Sequence, residues 1–173
     1  MVCGDSTIIA KVAMIVMIVS VVCSTIAIFT PYWNETEGAN GDKIYTGLVV
    51  QCNNTLGVCV SVQDILDKYG NSQYYTDQLW TLSLAMIGWV FSIAAMVVLI
   101  VYACLPNKIT AIVAIILCFL AGGCIIAAII IYGVGFDSLV NSTLGWSFAL
   151  DAAAGGLALV AMVIVIVNSC LIP

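Results

Sequence analysis

Few side chains here are equipped for acid–base, ligand or nucleophile chemistry. There are nine acids, four lysines and eight cysteines, with no histidine and no arginine. Without imidazole there is no general base poised near neutral pH and no histidine metal ligand. Catalysis would have to run on carboxylate, lysine or cysteine, and no such constellation stands out by spacing. The chain is therefore expected to be non-enzymatic, with no catalytic residue, no cofactor and no metal site. Without a basic patch to release counterions, nucleic acid is not an expected partner.

Three groups of residues remain as candidates. The first is Cys52 and Cys59, in the one long polar stretch, 31–78. Val58, Val60 and Val62 alternate there with Cys59, Ser61 and Gln63, which is strand period. Asn53 to Gly57 supply a turn. A hairpin bridged across its neck fits the Cα spacing a disulfide needs; the alternative is two free thiols. The second group is acidic. Residues 31–78 hold Glu35, Glu37, Asp42, Asp64, Asp67 and Asp77 against Lys43 and Lys68. Of these, Asp64, Asp67, Glu35 and Glu37 are the candidates for charge selectivity. If the surface lines a water path it should favour cations; otherwise it is a solvated acidic face. The third is Asp151, an ionisable residue inside an apolar run, about 7 Å along a helix from Trp146. Such a residue is a functional suspect. The bland reading is an acid that reaches the interface or accepts bonds from a neighbouring helix.

The frame around these residues is apolar. Of 173 residues, 64% are hydrophobic and 8% charged, with a formal net charge of −5. That composition cannot cover a water-soluble surface. Four runs, at about 8–30, 79–104, 109–133 and 146–172, each exceed the roughly 20 residues that cross a hydrocarbon core. Backbone in lipid must bond internally, so each run should be a helix. They leave two connections on one side, 31–78 and 134–145, and a tight turn at 105–108 on the other. The first run reads as a retained anchor and not a cleaved leader. No internal repeat appears, and the chain reads as one domain over 1–173.

Sidedness follows from the sequons. Asn34-Glu35-Thr36, Asn53-Asn54-Thr55 and Asn141-Ser142-Thr143 all fall in the connections of one side, making Asn34, Asn53 and Asn141 candidate glycosylation sites. Chance is the alternative, but with the cysteine pair they place that side outside and both termini in the cytoplasm. Lysines split evenly and say little. Tyr32, Trp33, Tyr74, Tyr75, Trp80, Tyr132, Phe136 and Trp146 crowd the outer span ends, as an interfacial belt would. Cys3, Cys104 and Cys170 fall at the inner ends, as candidate palmitoylation sites or plain small residues. Small residues within the spans (Gly88 and Ser92; Ala121, Gly122 and Gly123; Ala152, Gly155 and Gly156) suit close helix packing.

Trp33, then Gly47-Leu48-Val49-Val50-Gln51-Cys52, then Cys59, resembles the first-loop signature of the claudin superfamily. That group covers claudins, peripheral myelin and epithelial membrane proteins, and stargazin-like channel subunits. Its motif is Trp, Gly-Leu-Trp-x-x-Cys and a second Cys, so Val49 stands where the family prefers Trp. Asp64-Ile65-Leu66 and Leu144-Gly145-Trp146 extend the likeness, as does the order of spans and loops. The resemblance implies an all-α membrane fold: a left-handed four-helix bundle carrying a small extracellular antiparallel sheet. It implies that Trp33, Gly47, Leu48, Cys52 and Cys59 hold that sheet on the membrane. Val49 should loosen the anchoring, with Tyr45 or Tyr74 compensating. It implies a plasma-membrane protein of cell junctions, meeting like proteins in cis and trans and forming a barrier or cation-selective path. The alternative is an auxiliary subunit of an ion channel or receptor. Pro173 ends the chain without the Tyr-Val tail of claudins, so no PDZ scaffold is expected there.

Overall fold

A computed structural model describes residues 8–37, 42–54, 56–69, 73–105, 107–136 and 142–171. Four long helices carry the mass: α1 (Ile8–Phe29), α3 (Gln73–Cys104), α4 (Lys108–Phe136) and α5 (Trp146–Leu171). All four are long and apolar enough to cross a membrane, and the chain is a multi-pass membrane protein. Between α1 and α3 lie β1 (Asn34–Glu37), β2 (Lys43–Thr46), β3 (Val50–Asn53), β4 (Val58–Ser61) and the short helix α2 (Val62–Tyr69). The last strand, β5 (Ser142–Leu144), precedes α5.

The bundle is a ring in which α1 touches α3 and α5, and α4 touches α3 and α5. Its inside is set by a seven-residue repeat of mostly small residues. On α5 the buried positions are Ser147, Asp151, Ala154, Ala158, Ala161, Val165 and Asn168. On α4 they are Ala111, Ala114, Cys118, Ala121, Ile125, Ala128 and Tyr132. Helix α1 buries Ala10, Ala13, Met17, Ser20, Ser24 and Ala27, and α3 buries Gln78, Thr81, Ala85, Gly88, Ser92, Ala95, Leu99 and Tyr102. Steps of three and four alternate along each helix, which is the period of a coiled seam. Branched and aromatic residues such as Ile15, Val97, Phe119 and Val163 point outward. Lipid offers no hydrophobic reason to hide them, while small residues let backbones approach.

Of the small residues singled out in the sequence, Gly88, Ser92, Ala121, Gly122 and Gly155 sit in the bundle. Gly123 faces out, and Ala152 and Gly156 are only half-buried. Two spans outrun their apolar runs. Helix α3 begins at Gln73, six residues ahead of the expected boundary at 79, and α4 continues to Phe136, past 133. The helical ladder extends into a polar first turn because Gln78 is buried beneath the sheet.

The sheet has the order β4-β3-β2-β1-β5 and is antiparallel throughout. Both connections therefore join in one sheet, with Asn34 opposite Leu144. Cys52 lies directly opposite Cys59, and the two form a disulfide. The turn between them passes through Gly57 at φ 63°, a left-handed conformation glycine adopts without a Cβ penalty. The expected strand stops sooner than its alternation suggested. Ser61 Oγ accepts the Gln63 amide and caps α2, so Val62 opens a helix instead of extending β4.

Candidate functional site

The sheet is fastened to the bundle at a node around Trp33, and proline creates the need for it. In a helix the Ala27 carbonyl would bond the amide of residue 31, but Pro31 has none. The Trp33 indole fills the gap, Nε1 donating to Ala27 O at 2.7 Å. The ring is fully buried with Ile28, Leu48, Ala85, Ala128 and Tyr132, and meets Tyr132 and Phe148 edge-on. Trp33 and Tyr132 are thus core residues, a correction to their expected place in the interfacial belt. An unsatisfied helix end draws the indole inward more strongly than the headgroup region holds it. Tyr32, Trp80 and Trp146 do remain exposed at this end. The side chains of Tyr74, Tyr75 and Phe136 lie outside the described structure.

Backbone bonds complete the node. Trp33 N–H donates to Thr46 O, Gly145 N–H to Trp33 O, and Ser147 N–H to Tyr32 O. Gln78 Nε2 reaches Gly47 O at 3.0 Å, a tie that no sequence motif signalled. A Cβ on Gly47 would lie 2.5 Å from Thr30 O and 2.7 Å from Pro31 Cα, so no other residue fits. Gly145 is equally enclosed by the Tyr32 carbonyl. Val49 packs against the buried cluster from its edge. Tyr45 meets Tyr32 edge-on, and Tyr32 stacks on Trp146, forming a second aromatic tie between sheet and α5.

Beyond the node the sheet is open. All four residues of β4 are exposed, and Val58, Val60 and nearby Leu56 present apolar surface at a free edge. Of the acidic candidates, Glu35 is paired: Lys43 Nζ donates to its Oε1 at 2.6 Å. That bond and charge hold the Lys43 ammonium above the usual lysine range. Glu37 stands opposite Lys43 in register, and Asp64 is exposed in the first turn of α2, where the helix dipole favours an acid. The Asp67 side chain lies outside the described structure.

The sequons fare unequally. Asn34 is only 2% exposed and sits between β2 and β5, so a glycan there is incompatible with this fold. The sequon rule reads residue types and not burial. Asn53 closes β3, its Oδ1 accepting the Leu56 amide at a surface turn. Asn141 lies outside the described residues, as does Cys3. Cys104 is disulfide-bonded, which removes the thiol that acylation requires and puts a disulfide at the end opposite the sheet as well, so the Cys52–Cys59 pair does not by itself decide which side is outside; Cys170 is free and exposed.

Asp151 is fully buried and does not reach the interface. Ser24 Oγ donates to its Oδ1 at 2.8 Å. This bond belongs to a ladder between α1 and α5 that also includes Thr30 with Ser147 at 2.7 Å and Ser20 donating to Ala154 O at 2.7 Å. Among the described residues no group of three or more potential metal ligands occurs.

No family model matches the chain, and no curated protein matches it.

Proposed function

We propose that this is a claudin-like, non-enzymatic protein of the plasma membrane, with its sheet outside the cell and its termini in the cytoplasm. It works at cell–cell contacts, where the sheet meets like proteins in the same and the facing membrane and shapes a junctional barrier or cation-selective path. The observation that carries this is the sheet itself. It is immobilised on the helices through Trp33, Gly47, Leu48 and Gln78, while β4 leaves an apolar edge uncovered. A rigid base with an open edge is a surface for strand-directed recognition. The seven-residue repeat supports the left-handed bundle, because a strict heptad imposes that supercoil. A buried Asn34 removes one of the two first-loop glycans that would obstruct close packing.

The pairing of Glu35 with Lys43 favours a second reading. It leaves Glu37 and Asp64 as the exposed acids among the described side chains of the selectivity group, and so weakens the cation path. An apolar edge would serve equally to rest on the outer domain of a channel or receptor. Expression of the full chain in epithelial cells that lack junctions separates the two. The first reading expects enrichment at contacts and altered transepithelial ion permeability, both lost in Val60→Lys. Uniform distribution, unchanged permeability and a stably co-purifying channel would replace it with the second.

A further inference from the structure

We infer that Asp151 and Ser24 form a proton-binding site inside the bundle, in which the Asp151 carboxyl is held in its neutral, protonated form. The residue is fully buried in the α1–α5 seam. Its Oδ1 accepts one hydrogen bond, from Ser24. Its Oδ2 is enclosed and has no hydrogen-bond partner among the described residues. A carboxylate in that position would hold a full charge on a single hydroxyl contact, far from water, which proteins avoid by pairing the charge or neutralising it.

Among the described side chains pairing is not on offer. The helices packed against α5 are α1 and α4. Helix α1 carries Lys11 and Cys23 as its titratable groups, and α4 carries Lys108, Cys118, Cys124 and Tyr132. Lys11 is about 20 Å along the helix axis from Ser24, and Lys108 opens α4 at the opposite end of the bundle from the sheet. In the strands above, the one lysine, Lys43, is held by Glu35. Cysteine and tyrosine supply no positive charge. Neutralisation by a proton is what remains. The Ser24 bond also tells the two oxygens apart: Oδ1 acts as the accepting carbonyl and Oδ2 carries the hydrogen.

The site sits below the attachment of the sheet. Ser147, one turn above Asp151, pairs with Thr30 and donates its amide to Tyr32 O. Loss of the proton would leave an unpaired charge on the α1–α5 seam and draw water into it. Docking of α1 on α5 is therefore strongest with the proton bound and weakens as pH rises.

The test uses the full chain reconstituted in lipid vesicles, with infrared difference spectra between the wild type and Asp151→Asn over a pH series. The expected result is a neutral-acid carbonyl band at neutral pH that the Asn variant lacks and that disappears on alkalinisation. Ser24→Ala retains Asp151 and should shift this band by removing its hydrogen bond, which keeps the test decisive if the Asn variant does not fold. Thermal stability of the wild type should fall as pH rises from the ordinary carboxylate range toward the pH at which the band is lost and level off beyond it, a dependence that Asp151→Asn lacks. A carboxylate band at neutral pH overturns the inference. So does loss of the neutral-acid band on adding sodium at fixed pH, which would make this a cation site.

Discussion

The Pro31–Trp33 relation yields the sharpest prediction. Ala27 O has no helical donor because residue 31 is proline, and the Trp33 indole supplies one at 2.7 Å. Trp33→Phe retains a ring and loses that bond, leaving a buried carbonyl short of its main partner. The cost should be about 1–2 kcal/mol. Trp33→Ala also empties the space between Leu48, Tyr132 and Phe148 and should cost about 3–5 kcal/mol. The sheet is what these contacts hold, so the loss should appear as its local opening. With about 1.4 kcal/mol per tenfold change, the amides of Trp33, Gly47 and Gly145 should exchange hydrogen about tenfold faster in the Phe variant. In the Ala variant the acceleration should be at least a hundredfold, while mid-helix amides of α4 stay protected. Pro31→Ala restores an amide four residues beyond Ala27, so in that background Trp33→Phe should cost less. The coupling should be about 1 kcal/mol in a double-mutant cycle. Unchanged exchange at Gly145 in Trp33→Ala, or a Trp33→Phe cost indifferent to Pro31→Ala, would refute the account.

The adjacent glycines of α4 should separate cleanly. Gly122→Ala places a Cβ 3.0 Å from Gly155 O and 2.8 Å from Leu159 and should destabilise the bundle by about 1–3 kcal/mol. Gly123→Ala meets nothing within 4 Å and should be neutral or stabilising by less than about 1 kcal/mol, as read by thermal unfolding in detergent. Replacing Cys52 and Cys59 together by serine opens a short loop and should cost roughly 2–3 kcal/mol. Because the bridge spans the outer strand pair, hydrogen exchange should rise in β3 and β4 and remain slow at Trp33.

The four spans were legible because length and apolarity decide them without regard to packing. Their polar extensions were not, since Gln73 to Gln78 become helical by continuing a ladder and burying Gln78 under the sheet. The Cys52–Cys59 pair was readable from its isolation in the polar stretch. Strands β1 and β2, Asn-Glu-Thr-Glu and Lys-Ile-Tyr-Thr, carry little apolar alternation; they are strands because each finds a neighbour on both sides. Asp151 announced itself as an acid in an apolar run, and a bond from a neighbouring helix was among the readings open to it. Ser24 did not announce itself, because a serine in a span looks like any small residue until the facing helix is in place. Trp33 was legible as a motif residue and misplaced as an interfacial one, for the same reason: burial depends on partners distant in the chain.

The α1–α5 ladder links the two ends of this architecture. Thr30 with Ser147, Ser24 with Asp151 and Ser20 with Ala154 O run in opposite directions along the two helices and fix their relative height. In lipid, where apolar contact does not discriminate one register from another, hydrogen bonds of this kind carry the choice. The same helices deliver the chain into the sheet: β1 follows α1 and β5 precedes α5. Once Ser147 is level with Thr30, Gly145 reaches Trp33 O and Asn34 comes opposite Leu144. A slip of one residue in β1–β5 pairing would turn Asn34 and Thr36 to the other face. The polar residues buried in the seam thus determine which side chains the sheet presents, although none of them lies on its surface.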